Sequence, residues 1–500
     1  MSKPSSLSKP PNVPIHNLDD DSLLSIFHLC RPNFFEEDEY GKLLRSSWVQ
    51  ERWWYQLVKV CRRWRSLILG SASHLGLCLI CTHGTPVADM LAHSPPLPLI
   101  IHHGDKNHEL TAEEEEGIML ALQHRDRVRC IYLKKPVPCL RKLIKAMDDR
   151  FPMLEYLHIA PPSPTIQGAR LVLPSTFEAP RLRILALRQV ASPIGSPLLT
   201  SAVSLVRLSL RWMDPSTNLY PNHLFQALSL LPQLQNLVMR FSSPVPNREI
   251  EGQLLRMPIV THITLPNLRT FDFRGVSAYL EPLLSHMNAP LLDFLSYKFL
   301  DQLSFSVPHL GQFVMTSANL RSSRVMFLFY HLGVAAFMHR SVSTHSPTLL
   351  CHVGCNHLDW QVSSMAQIFN VLSPFCSVVV DLTLDYRSHT LSSERHDQAD
   401  RTQWRELLGS FGNVETLRVH DGLVGELSRC LALDGEPASE ILPGLKTLVC
   451  PMGSCVDKTF ATFVHDREAA GLPIDIIEDV FPAGKNQYRI EGGARVEYIG

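Results

Sequence analysis

A six-residue frame, apolar-x-x-apolar-x-apolar, returns eleven times between residues 128 and 450 and constrains the fold more than any other feature of the chain. It occurs at Val128/Ile131/Leu133, Leu154/Leu157/Ile159, Leu182/Leu185/Leu187, Leu205/Leu208/Leu210 and Leu234/Leu237/Met239. It continues at Leu268/Phe271/Phe273, Leu292/Leu295/Tyr297 and Leu310/Phe313/Met315, and after a gap at Val379/Leu382/Leu384, Val414/Leu417/Val419 and Leu445/Leu448/Cys450. The alternating apolar residues of each frame fall on one side of an extended strand. Many frames follow a proline (Pro152, Pro180, Pro232, Pro266, Pro290, Pro308, Pro443), which suits the turn into a strand, where no ladder donor is yet needed. Stretches with helical periodicity, such as residues 221–231, lie between frames.

The central residues of successive frames are 26, 28, 23, 29, 34, 24 and 18 residues apart, then 69, 35 and 31. Most of these steps are close to the length of a leucine-rich repeat, and the frame resembles that repeat's strand. The Asn that usually follows the strand is mostly missing, so the repeats are irregular. The expected fold is α/β: an irregular leucine-rich-repeat solenoid over residues 126–480, a curved parallel sheet with helices outside. The long step is expected to hide two degenerate units with strands at 324–329 and 348–353, and residues 388–403 read as a polar loop insertion. Residues 71–125 read as a transition and capping unit, with strands at 74–81 and 97–102 and a short helix at 87–91. Residues 481–500 form a C-terminal tail.

Ahead of the frames, residues 18–27 read as the start of a helix that Asn17 or Asp19 can cap, with the acidic first turn at its positive end. Leu23, Leu24, Ile26, Phe27 and Cys30 form its apolar face, and Pro32 closes it. From Trp53 to Ile68 a three-to-four spacing predicts a second helix ending at Gly70, with Arg62, Arg63 and Arg65 on its solvated side. Two such helices bury little by themselves, so their apolar faces need either the rest of the chain or a partner.

Residues 14–70 resemble an F-box, in the F-box-like form expanded in mushroom-forming fungi. The resemblance rests on Leu18, Asp20, Leu23, Leu24, Ile26 and Phe27, followed by Trp54, Leu57, Val60, Cys61, Arg62, Trp64, Arg65, Leu67 and Ile68. Asp19 stands where the family usually has a proline that packs on its adaptor. The resemblance implies a substrate-recognition adaptor of an SCF-type E3 ubiquitin ligase. Leu18, Leu23, Leu24, Phe27, Val60, Cys61 and Trp64 would bind a Skp-family adaptor and, through it, a cullin-RING core. The repeats would bind a protein target. The alternative is a leucine-rich-repeat interaction scaffold that joins no ligase. Residues 1–13 are expected to be disordered.

The composition excludes several other classes. Forty-seven basic against 48 acidic residues, a net charge of −1, provide no global field to gather phosphates, so no nucleic-acid partner is expected. No apolar run is long enough for a membrane span, and the N-terminus has no signal-peptide core, which points to the cytoplasm, the nucleus or both. The 12 cysteines read as reduced, mostly buried side chains, among them Cys30, Cys130, Cys376 and Cys450. Cys78-x-x-Cys81-x-His83 with Cys351-x-x-x-Cys355-x-His357 has the form of two half metal sites, but a buried strand explains the first pair better. His102, His103, Asp105 and His108 read as a loop cluster, Asp381 and Asp385 as isolated acids, and residues 113–116 as a solvated helix start. Arg183, Arg207, Arg211, Arg269 and His420 lie between the apolar strand positions and are expected on the exposed side. Catalytic signatures are absent, and the expectation is an adaptor with no enzymatic activity, cofactor or metal.

Overall fold

The computed structural model describes residues 15–30, 53–104, 109–162, 171–192, 196–213, 221–242, 262–300, 302–340, 347–387, 401–431, 441–451, 460–479, 487–491 and 495–499. Pro32, the acidic stretch 36–39, Asp105, His108 and most of the insertion at 388–403 lie outside them.

The molecule is a mixed α/β protein built on one large, mostly parallel sheet. In chain order its 16 strands are β1 (Leu79–Cys81), β2 (Leu99–His103), β3 (Val128–Lys134), β4 (Tyr156–Ala160), β5 (Ile184–Arg188), β6 (Arg207–Met213), β7 (Asn236–Phe241) and β8 (Thr270–Gly275). They continue as β9 (Phe294–Phe299), β10 (Arg324–Tyr330), β11 (Gly333–His339), β12 (Leu349–Val353), β13 (Asp381–Arg387), β14 (Thr416–Val419), β15 (Thr447–Pro451) and β16 (Asp475–Asp479). Ten of the eleven frames each supply one strand. The two degenerate strands fall at β10 and β12, and β1 and β2 extend the same sheet into the segment read as a transition.

Order and sequence coincide from β1 to β9, and the spatial order then runs β9-β12-β11-β10-β13-β14-β15-β16. The chain thus passes from β9 to a position three places on, returns through antiparallel β11, and lays β12 beside β9. Gly333 makes the tight return possible: its φ is +156°, and a Cβ there would meet the Val353 carbonyl oxygen at 2.4 Å. Apart from the turn at His331 and Leu332, the run from 325 to 338 is apolar on both sides, and both sides are largely buried. Val325, Phe327 and Phe329 enter the main core, while Leu328, Tyr330, Ala335 and Phe337 form a separate cluster on the other face.

Helices connect the strands. Following α1 (Asp20–Leu29), α2 (Trp53–Leu57), α3 (Arg62–Gly70) and α4 (Ala72–Leu75) come α5 (Val87–His93), α6 (Ala112–Gln123), α7 (Val137–Lys145) and α8 (Pro221–Leu228). Then follow α9 (Ser277–His286), α10 (Pro308–Thr316), α11 (Leu358–Val371), α12 (Arg401–Gly409), α13 (Asp421–Leu431) and α14 (Ala461–Ala469). The frame residues of the strands and the apolar stripes of these helices share one core, exemplified by Leu157 and Leu185 packed with Leu140 and Leu143. A residue at the second frame position leaves its strand toward the helices, so its neighbours in sequence leave toward the opposite face.

Three expectations fail here. Leu310/Phe313/Met315 is helix α10, not a strand: Pro308 sits in its first turn, and Glu281 of α9 accepts the His309 and Leu310 amides at 2.8 and 2.9 Å. A three-residue apolar spacing fits both periods, and here the cap selects the helix. The second N-terminal helix is two helices, because Cys61 takes an extended conformation (φ −158°, ψ 169°) and caps α3 through Sγ to the Trp64 amide. Residues 401–403, read as loop, open α12. Within the C-terminal tail, Gln487–Glu491 and Arg495–Ile499 pair as an antiparallel hairpin. No described helix is long and apolar enough to cross a membrane.

Candidate functional site

The N-terminal helices form one packed unit. Asp19 caps α1 by accepting the Ser22 amide at 2.6 Å, a bond that holds its carboxyl below the usual range. Arg63 of α3 reaches back to the Leu18 carbonyl (2.7 Å) and to Asp20 (2.7 Å), locking the start of α1 against α3. Phe27 packs edge-on to Trp64 with centroids 4.9 Å apart.

The seven predicted adaptor-contact residues separate by burial. Leu23 and Phe27 are 0% and 1% exposed and join the core that runs on into the sheet. Leu18, Leu24 and Trp64 are half-buried against it. Val60 and Cys61 are exposed, Val60 at 59%, at the break between α2 and α3. Cys30 is exposed as well. Among the described residues of this unit, the large apolar side chains exposed to solvent are Ile15, Ile26, Leu29 and Val60, with Leu29 at 84%.

A second surface lies on the sheet face opposite the frame residues. Arg188, Arg211, Arg240, Arg274 and Lys298 occupy one rung across β5 to β9: Arg188 is opposite Arg211, Arg211 opposite Arg240, Arg240 opposite Arg274 and Arg274 opposite Lys298. His352 of β12 continues the rung beside Lys298. Neighbouring strands are about 4.8 Å apart, so five cations line up over about 19 Å. Burial, with Arg240, Arg188 and Arg207 nearby and Asp272 opposing, pulls the Arg211 guanidinium down to about 10. The same burial lowers Arg188 and Arg207.

The strand ends beside this rung are irregular. Gln189 and Trp212, both non-glycine, have φ of +54° and +55°, and the register of β6 shifts between Arg211 and Met213. The bulge brings the Trp212 ring onto this face, with the Arg188 guanidinium 5.7 Å and the Arg274 guanidinium 4.9 Å from its centroid. One row down and nearer β1, His102, Tyr132 and His158 stack across three neighbouring strands at 4.8 and 4.5 Å.

Beyond the antiparallel strand the same face is charge-balanced. Asp381 holds Arg324 at 2.9 Å and Arg418 at 3.5 Å, and Asp385 holds Arg387 at 3.4 Å and His420 at 3.8 Å. The two acids therefore sit among cations and do not pair with each other. Of the five residues expected on the exposed side, Arg211 belongs to the cationic rung and Arg207 lies on the same strand below it, His420 joins the balanced half, and Arg183 and Arg269 are exposed where their strands begin. Arg188, Arg240, Arg274, Lys298 and Trp212 were not anticipated. Their signal was in the chain all along: five successive frames are each followed at once by Arg or Lys.

The metal-like pairs do not converge. Cys81 points into the main core with Leu79, and Cys78 into a separate cluster with Ile80, as positions three apart on a strand require. Burial pushes the thiols of Cys81 and Cys351 up to about 12, the behaviour of packed, protonated side chains. His83 pairs with Glu114, which also completes the capping box of α6 with Thr111, so this acid is a bonded cap and not a solvated one. Among the described residues no group of three or more His, Cys, Asp or Glu is placed to hold a metal ion. No protein-family model matches the chain, and no curated protein matches it significantly.

Proposed function

We propose that the chain is the substrate-recognition adaptor of an SCF-type E3 ubiquitin ligase. In this reading residues 14–70 are an F-box-like domain that binds a Skp-family adaptor and through it a cullin-RING core. The sheet and its helices are an irregular leucine-rich-repeat solenoid that holds a protein target. Tethering target and ligase core to one chain makes ubiquitin transfer effectively intramolecular, so the chain needs no catalytic group of its own. The observation that carries the binding half is the one-strand-per-frame sheet, which turns non-frame residues from many repeats onto a common face, away from the helices. The ligase half is supported by the residue pattern of 14–70 and by Ile26, Leu29 and Val60, apolar side chains of that segment that face solvent.

The test is co-purification of a Skp-family protein with the full chain. Ile26→Asp with Leu29→Asp is expected to abolish it and leave the fold intact, since both side chains are exposed. Asp19→Pro is expected to strengthen it: Asp19 has φ −68°, and proline fixes φ near about −65°. Retention of the adaptor by the double aspartate variant, or its absence from the wild type, would sink the ligase reading.

One observation favours a second reading. Leu23, Phe27, Trp54 and Ile68 belong to the same continuous core as the strands, as expected of helices that close the end of an interaction scaffold. In that case removing residues 1–70 unfolds the neighbouring strands, and no Skp-family protein is bound under any condition.

A further inference from the structure

We infer that the rung of cations across β5 to β9 is the docking site for an extended, acidic segment of a protein partner. The inference deepens the target-binding half of the reading above and rests on it, but not on the ligase half.

Three observations carry it. First, the cations are in register. Arg188, Arg211, Arg240, Arg274 and Lys298 stand opposite one another on consecutive strands. Such a line of like charge opposes folding, because neighbours at this spacing repel one another in a partly desolvated setting. Among the described residues Asp272, one row below on β8, pairs with Arg240. Second, the contrast with β13 and β14 is sharp. There Asp381 and Asp385 are interleaved with Arg324, Arg387 and Arg418, and like charges do not stand opposite one another on neighbouring strands. Third, two non-glycine residues, Gln189 and Trp212, take left-handed backbone directly after Arg188 and Arg211. Backbone held there is strained and gathers at binding sites. Here its effect is to aim an indole between two guanidinium groups.

The geometry selects the ligand class. A rung of about 19 Å matches about six residues of extended chain, which present about three side chains to the same side. Aspartate or glutamate at alternate positions would therefore meet the row, with guanidinium forks taking carboxylates pairwise. Trp212 adds an apolar surface for an intervening side chain. A nucleic-acid strand fits less well. The chain has a net charge of −1 and so provides no long-range field for a phosphate backbone, and the cations form one line, not a broad groove.

The test is fluorescence anisotropy on the full chain with three labelled probes: a peptide with glutamate at alternate positions, the same peptide with glutamine, and a single-stranded oligonucleotide. The expected result is binding of the acidic peptide alone, weakened at least about tenfold between roughly 0.1 M and 0.5 M salt. Arg188→Gln with Arg274→Gln is expected to weaken it by a further factor of about ten or more. Arg324→Gln, in the balanced half, is expected to leave it unchanged. Equal binding of the glutamine peptide, tighter binding of the oligonucleotide, or insensitivity to salt would each overturn the proposal. Should the double arginine variant fail to fold, the peptide series and the salt series still decide. The outcome is independent of adaptor co-purification. Peptide binding without a Skp-family partner sinks only the ligase reading, and a bound Skp-family partner without peptide binding sinks only this one.

Discussion

Arg240 on β7 is held by Asp272 on β8, with Nε 3.0 Å from Oδ2 and both side chains largely buried, and the acid stands one row below the rung of cations to which Arg240 belongs. The carboxylate offsets repulsion among its neighbours and at the same time competes with any incoming acid for Arg240. Its removal separates the two effects. Asp272→Asn keeps a carbonyl acceptor but drops the charge, so it is expected to lower stability by about 1 kcal/mol and to tighten binding of the acidic peptide. Urea unfolding and anisotropy on the same preparation read both, and a variant that loses stability and affinity together would show Asp272 to be a purely structural residue.

Leu23 and Phe27 make a poor test of adaptor binding, because they are core residues of this chain. Truncation of either to alanine is expected to cost about 2 to 5 kcal/mol, visible as a lowered urea midpoint whether or not an adaptor is present. Ile26→Ala and Leu29→Ala, on the exposed side of the same helix, are expected to shift the midpoint by no more than about 0.5 kcal/mol. Equal losses for the buried and exposed pairs would contradict the packing of α1 described above.

What could be read from the chain divides along physical lines. Strand positions were legible because a half-buried parallel strand must repeat its apolar residues with period two, and Leu185, Leu208 and Leu237 do so without interruption. The antiparallel β11 was not, since a run apolar on both sides, such as 333–338, has no period to announce its direction. Helix α10 was missed because spacing alone cannot distinguish Leu310/Phe313 on a helix from the same pair on a strand, and the deciding cap, Glu281, lies 28 residues from His309. The cationic rung was present letter by letter after each frame. Its meaning needed register, because a strand displaced by one residue would have sent Arg211 to the core and Leu210 to the open face.

His103 sets a limit on acid stability. It is 4% exposed on the helix side of β2, and neither ring nitrogen meets a hydrogen-bond partner. Burial first, and Lys135 next, hold its pKa down to about 3, with Glu114 acting the other way. An unfolded histidine titrates near about 6.5. Below that value the unfolded chain binds a proton that the fold refuses, so the stability is fully present above about 6.5 and falls with pH at about 1.4 kcal/mol per unit. At pH 5 the loss from this one residue is about 2 kcal/mol. His103→Leu is expected to flatten the acid limb of the stability profile between pH 7 and 5 by that amount. An unchanged limb would mean that His103 takes up its proton inside the fold.

Arg467 secures the far end of the sheet. The side chain on α14 is fully buried and donates to four carbonyls of the segment entering β15: Ile441 and Leu442 at 3.3 and 3.2 Å, Pro443 and Leu445 at 3.3 Å each. That segment turns sharply at Leu442, whose φ is +48°, so these carbonyls point inward, and the guanidinium satisfies them as a group. Arg467→Met fills similar volume but leaves the acceptors buried without this donor, at an expected cost of about 3 to 5 kcal/mol. Arg467→Lys keeps the charge but not the planar fork and is expected to recover less than half of it. Because β15 and β16 lie at one end of the sheet and pair with sequential neighbours, the damage is expected to stay local. Hydrogen exchange in β15 and β16 accelerates strongly in the methionine variant, while β3 to β6 keep their protection. A uniform rise across the sheet would show instead that the sixteen strands unfold as one cooperative unit.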